Sequence, residues 1–158
     1  DARLKWPNDV LMDGRKVAGI LAETAFADTR ISHVAVGIGI NVNHDRQDLP
    51  EAVFPGATSL YLATGRLTSR GYLAATVYNH LDRWYGLFCQ KRCDEILASG
   101  RARSATLGHT VEVLAGEGTW QGVAMDLDSD GALLVRAEDG GLRRVIASDV
   151  SIRQAWKR

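Results

Sequence analysis

Lys5, Asn8 and Asp9 stand together in Lys5-Trp6-Pro7-Asn8-Asp9, and Lys16 follows within the next two apolar runs. Between them, Val10-Leu11-Met12-Asp13-Gly14-Arg15-Lys16-Val17 sets an Asp-Gly pair between hydrophobic residues. That is a strong hairpin signal, because Gly accepts the positive φ of a tight turn. A two-residue turn at Asp13-Gly14 puts Leu11 opposite Lys16 and Asp9 opposite Ala18, so Asp9 and Lys16 leave one face as diagonal neighbours. Gly19, opposite Asn8 in this register, leaves room for a ligand to meet the backbone. From His33 to Asn43 the even positions are Val34, Val36, Ile38, Ile40 and Val42, while Gly37, Gly39, Asn41 and Asn43 fall on the odd ones. This is period 2 with an apolar core face and a nearly bare one. Packed beside the hairpin, the bare face makes a floor rimmed by Lys5, Asn8, Asp9, Lys16 and Asn41. The site suits a polar, anionic ligand: ammonium groups neutralise charge at a phosphate or carboxylate, and amides direct hydrogen bonds.

Each feature alone has a plainer explanation. A Lys or Asp near a hairpin is normally a solvated surface residue, and Gly-x-Gly within a strand is often a packing or bulge feature. Gly37 and Gly39 do not make a nucleotide-binding loop, since they lie inside an alternating strand with no third glycine, and no Walker-type sequence occurs.

The elements that must position these residues follow from the same patterning. The first 43 residues read as β structure, and residues 44–60, rich in Asp and interrupted by Pro50 and Pro55, as a long loop. Thr68 or Ser69 caps a helix carrying Leu73, Val77, Leu81, Trp84, Tyr85 and Phe88 at i+3/i+4 spacing. Its aromatic side chains read as core or domain interface. A shorter helix covers Cys93 to Ala98 and ends near Gly100. After Ser104 come short strand candidates at Thr110–Leu114, Trp120–Met125, Ala132–Arg136 and Leu142–Ile146. Turns at Gly116-Glu117-Gly118, Asp128–Gly131 and Asp139-Gly140-Gly141 separate them, which suggests a small barrel. The expected organisation is an α+β domain over 1–104, with a mixed β-sheet and helices on one face, then a small barrel over 105–158.

Composition narrows the function. The 158 residues carry 19 basic and 19 acidic side chains, 46% hydrophobic and 24% charged residues, as in a globular protein with a core rather than a disordered tail. The longest apolar runs fall far short of the roughly 18 residues of a spanning helix. A balanced charge and an acidic excess after residue 104 give no footprint for nucleic acid. The chain opens Asp1-Ala2-Arg3 without Met or an apolar signal region, which reads as a cut end. Cys89 and Cys93, at i,i+4 on a helix, read as reduced cysteines of a cytoplasmic protein rather than as half of a zinc site. His33, His44, His80 and His109 share no spacing and none is assigned to catalysis.

Lys5-Trp6-Pro7-Asn8-Asp9, then Arg15-Lys16-Val17-Ala18-Gly19-Ile20-Leu21, then Val36-Gly37-Ile38-Gly39-Ile40-Asn41-Val42-Asn43 closely resembles the catalytic-domain motifs of biotin protein ligases. The region after residue 104, with its Gly131-Ala132-Leu133-Leu134-Val135 strand, resembles the SH3-like barrel that ends such ligases. The resemblance implies a two-step reaction: the biotin carboxylate attacks the α-phosphate of ATP to give biotinyl-AMP and pyrophosphate, and a lysine amine of a biotin carboxyl carrier protein then displaces AMP. It implies that Lys16 touches the biotin carboxyl and the phosphate, and stabilises the charge of both transition states. Asp9 is implied to orient or deprotonate the acceptor amine, and Asn41 to contact the adenosine. Lys5, Trp6, Asn8, Gly19, Gly37 and Gly39 would line the pocket. Mg²⁺ is expected with ATP, with no metal ligands identified, and a homodimer is an option. The family's Gly-Arg-Gly-Arg loop, expected upstream of Lys5, is not in this sequence, so the chain is expected to be the C-terminal part of a ligase and inactive alone. A relative handling lipoate or octanoate, and a paralogue that binds biotinyl-AMP or the carrier without turnover, remain as alternatives.

Overall fold

The computed structural model describes residues 1–52, 54–115, 118–146 and 150–154. Its contacts group the chain into two compact units, one of Asp1–Arg3 with Asn8–Ala74, the other of Leu4–Pro7 with the chain from Ala75 onward.

The first unit is built on a sheet in the order β1 (Ala2–Lys5), β2 (Asp9–Met12), β3 (Arg15–Ala27), β4 (Arg30–Ile40), of which β1 only begins in this unit. Asp13 (φ 50°) and Gly14 (φ 77°) are both left-handed, as the tight turn between β2 and β3 requires. The β2–β3 and β3–β4 pairings are antiparallel, not mixed, because a tight turn joins each pair. The alternating strand is present, but this part of its apolar face is not a core: Val34 and Val36 are about half exposed, and Ile31 and its cross-strand partner Phe26 more so. Period 2 reports that a strand has two unlike faces, not that anything covers the apolar one. The buried residues lie instead at the other end of the unit, where Leu11, Val17, Ala18, Val42, Leu49 and Ala57 meet with Thr58 and Ser59.

A short helix the sequence reading missed, α1 (Leu60–Thr64), follows the loop. Ser59 caps it, its Oγ accepting the Leu62 N–H at 3.0 Å, and Gly65 closes it at φ 70°. Helix α2 (Arg70–Cys89) begins where expected, with the Ser69 Oγ accepting the Tyr72 N–H. Its stripe is not buried: Leu81, Tyr85 and Phe88 are exposed and no residue of α2 is fully buried. An i+3/i+4 stripe creates a face but does not supply its cover.

In the second unit, α3 (Cys93–Ala102) runs past Ala98 and through Gly100 rather than stopping there, since a glycine lowers helix propensity without forbidding the conformation. Five strands follow: β5 (Thr110–Ala115), β6 (Gly118–Leu127), β7 (Leu133–Ala137), β8 (Leu142–Val145) and β9 (Val150–Gln154). They pair antiparallel in the order β8-β7-β6-β5-β9. The sequence reading placed the first four and missed β9. Val111, Val113, Ala124, Leu133, Val135 and Val145 form the core, with Trp6, Leu107, Trp120 and Leu127 packed against it. Gly122 has a definite reason, since a Cβ there would fall 2.5 Å from the Arg136 carbonyl oxygen. The expected turn at Gly116-Glu117 lies outside the described residues. The whole is an α+β fold in which the C-terminal sheet is consistent with an SH3-like domain. Among the described residues no helix is long and apolar enough to cross a membrane, and Cys89 and Cys93 are free thiols.

Candidate functional site

The hairpin brings the two charged residues together. Lys16 Nζ lies 2.5 Å from Asp9 Oδ1, so the expected shared face is real. The register is one residue off the expectation: Leu11 faces Lys16, but a bulge between Val10 and Leu11 shifts the rest, so Asp9 faces Gly19 rather than Ala18. The extra residue increases local twist without moving Lys16 to the other face. Asn8, expected opposite Gly19, instead faces Ile20. Its carbonyl accepts the Ile20 N–H and its Nδ2 donates to the Ile20 carbonyl, both at 2.9 Å.

Gly19 leaves the space beside the pair open. A Cβ there would sit 3.3 Å from both Cε and Nζ of Lys16 and 3.7 Å from Asp9 Oδ1. The bare floor extends from it: Gly19 pairs with Gly39, and Leu21 with Gly37, so both β4 glycines share a face with Gly19 and Asp9. Nothing among the described residues demands glycine at 37 or 39, since an added Cβ would meet only carbonyl oxygens at 3.8 and 4.0 Å. A methyl at either position would therefore be accommodated at ordinary contact distances.

Asn41 lies just past β4. Its N–H donates to the Val17 carbonyl, its carbonyl accepts the Leu60 N–H, and its Nδ2 donates to the Thr58 carbonyl at 3.0 Å. It therefore ties β3 to the start of α1. Lys16 is embedded in the same network, its N–H donating to the Gly56 carbonyl and its carbonyl accepting the Thr58 N–H, both at 2.8 Å. Sequence reasoning missed the partners of this network, Arg15, Glu51, Thr58 and Ser59. The signal available was Thr58-Ser59 before the apolar residues of α1, an N-cap pattern.

Lys5 and Trp6 belong to the second unit. There the Trp6 N–H donates to Thr106 Oγ1 at 2.9 Å and its indole Nε1 donates to the Gly131 carbonyl at 3.0 Å. Among the described residues no group of three or more His, Cys, Asp or Glu could hold a metal ion. Asp9, the carboxylate of this face, is engaged by Lys16. These residues do not fit a protein-bound Mg²⁺.

The chain is similar to known proteins in both sequence and fold. Residues 1–41 match the biotin/lipoate A/B protein ligase family, and residues 106–153 the biotin protein ligase C-terminal domain. The chain is 37% identical to the biotin–[acetyl-CoA-carboxylase] ligase of Mycobacterium tuberculosis, over 92% of this chain and 50% of that protein. The apo structure of the Aquifex aeolicus biotin protein ligase superposes with a TM-score of 0.84 at 30% identity, covering 98% of this chain and 66% of that one. A structure of the same ligase in complex with biotin and ATP gives 0.81 at 31% identity, covering 98% and 62%. The chain spans about half the length of the curated relatives it matches.

Proposed function

Because the chain belongs to the biotin protein ligase family, we propose that it supplies the phosphate-facing half of a site that activates biotin with ATP and passes it to a lysine of a biotin carboxyl carrier protein. The observation that carries this reading is the Asp9–Lys16 pair standing beside Gly19 on a floor of glycines. In the first step a biotin carboxylate oxygen attacks the α-phosphorus of ATP, and the bond to pyrophosphate breaks. Lys16 is suited to the charge that builds there: its side chain is about half exposed on a flexible stem, so the ammonium can turn from Asp9 to an incoming anion. In the second step the acceptor amine attacks the acyl carbon of biotinyl-AMP and AMP leaves. Asp9, whose side chain is only 16% exposed, is placed to orient that amine and accept its proton. Asn41 would reach the adenosine side, with Gly37 and Gly39 leaving room beneath it.

Domain organisation is proposed as 1–104, part of the catalytic domain, and 105–158, the SH3-like domain; all five strands of the second sheet follow this boundary. A carrier protein as partner and a cytoplasmic setting accompany the ligase reading. The test uses the full-length protein. Biotin-dependent pyrophosphate exchange followed by biotinylation of a carrier is expected, with lipoate inert in the same assay. Exchange driven by lipoate, or binding of a biotinyl-AMP analogue without transfer, would overturn it.

A further inference from the structure

Arg15 and Glu51, neither of them among the residues with an assigned role, bond the peptides that flank Lys16 across the sheet. Lys16 sits where β3 pairs with Leu11 of β2 and, in parallel, with Ala57 of the loop. Residues 56–58 belong to no named strand, and Gly56 is left-handed at φ 73°. Backbone hydrogen bonds to Lys16 hold the segment on one side. The Arg15 guanidinium adds a second tie, with Nε and Nη2 donating to the Ala57 carbonyl at 3.1 and 3.0 Å and Nη2 also donating to Glu51 Oε2 at 2.5 Å. Glu51 closes the ring, its Oε1 accepting the Gly56 N–H at 2.8 Å. One planar fork thus serves two acceptors, an arrangement a single ammonium does not reproduce. The Gly56 N–H, together with the Arg15 guanidinium, holds the Glu51 carboxyl below its usual range.

We propose that the Arg15–Glu51 clip is a positioning device for Lys16: by pinning the Gly56 and Ala57 peptides it fixes the backbone from which the Lys16 ammonium reaches the reacting phosphate. As a surface ion pair it contributes little to stability. Its leverage is geometric, because small displacements of a charge-stabilising group cost far more in rate than in folding. The kinetic part rests on Lys16 acting in adenylation as proposed above.

The test compares Arg15→Met, Glu51→Ala, the double variant and Arg15→Lys in the full-length protein. Two readouts are used, hydrogen exchange of the Lys16 and Thr58 amides and biotin-dependent pyrophosphate exchange. Each single loss should speed exchange of both amides and lower kcat about tenfold, with KM for ATP changed by less than about threefold. The double variant should be no worse than either single one, as members of one unit behave, and Arg15→Lys should recover only part of the rate. Unchanged amide exchange overturns the clip. So does a kcat within twofold of the unaltered protein, and so does a loss in Arg15→Met that Glu51→Ala does not share, which would make Arg15 a direct ligand contact. If the unaltered protein shows no biotin-dependent exchange, the ligase reading fails instead, and amide exchange still decides whether the clip exists.

Discussion

Strand β7 of the second unit buries Leu133 and Val135 completely, whereas β4 of the first unit leaves Val34 and Val36 about half exposed. Apolar residues recur at every second position in both strands, so that period is not what separates them. In β7 the apolar face closes on Val111, Val113, Ala124 and Val145. In β4 the opposite face is stripped to glycine and lies in line with Gly19, Asp9 and Lys16. The second sheet is organised around burial, which stabilises by roughly 25 cal/mol for each Å² of apolar surface removed from water. The first leaves its glycine face exposed, and Lys16 is held by backbone hydrogen bonds to residues 56 and 58.

The largest effect should come from the packed side. Leu133→Ala is expected to cost about 2–5 kcal/mol of stability, while Val36→Ala should stay within about 0.5 kcal/mol. Denaturant unfolding followed by tryptophan fluorescence measures the first, since the described tryptophans Trp6, Trp84 and Trp120 all belong to the second unit; circular dichroism measures the second. Equal costs would erase the contrast.

Lys16→Ala inverts the pattern. Adenylation in the full-length protein should slow more than tenfold, a barrier increase above about 1.4 kcal/mol, with the unfolding midpoint unmoved because the side chain is half exposed. Unchanged pyrophosphate exchange would remove Lys16 from its role. Gly39→Ala probes the floor itself. The added methyl meets only the Gly19 carbonyl oxygen, at 4.0 Å, so folding should be preserved while a biotinyl-AMP analogue binds about fivefold more weakly in calorimetry. Tight binding by this variant would mean that no ligand approaches there.

Acid gives the smallest difference. In the second unit, the Arg101 guanidinium and Leu127 N–H lower the pKa of Asp126. The Ser129 N–H with Arg144 does the same for Asp128, and the Gly141 N–H with Arg143 for Asp139. Groups with lowered folded values add stability that is complete above the unfolded carboxylate pKa of about 3.9 and is lost as pH falls through the folded values. The tryptophan-reported melting temperature should therefore hold from neutrality to about pH 4 and decline below it. A flat profile down to about pH 2 would show that these exposed pairs do nothing for the second unit.

Much of this was legible in the sequence. Asp13-Gly14 announced the first hairpin, and the alternation of Val34 to Val42 against Gly37, Gly39 and Asn41 announced the bare strand, because turn chemistry and side-chain period are local. The shared face of Asp9 and Lys16 was legible too, since it depends only on Leu11 facing Lys16. The bulge beyond it was not, as an extra residue in β3 leaves no compositional mark. Helix α1 hid inside a stretch read as loop, and β9 followed no turn signal that set it apart. The partners of Lys16 were invisible for another reason: Arg15 and Glu51 are far apart in the chain, and only the closed ring of hydrogen bonds gives them a common purpose.

The five residues Lys5 to Asp9 read as a single motif, yet Lys5, Trp6 and Pro7 group with the second unit while Asn8 and Asp9 group with the first. Trp6 is tied to Thr106 and Gly131, and Asn8 to Ile20. A graft between relatives that exchanged everything after residue 104 would thus pair a foreign Thr106 and Gly131 with a native Trp6, a mismatch created a hundred positions from the splice. The Gly131 partner is a backbone carbonyl that any residue supplies, so the side chain at stake is the Thr106 hydroxyl. Such a graft keeps that bond where the incoming chain carries a hydroxyl at this position.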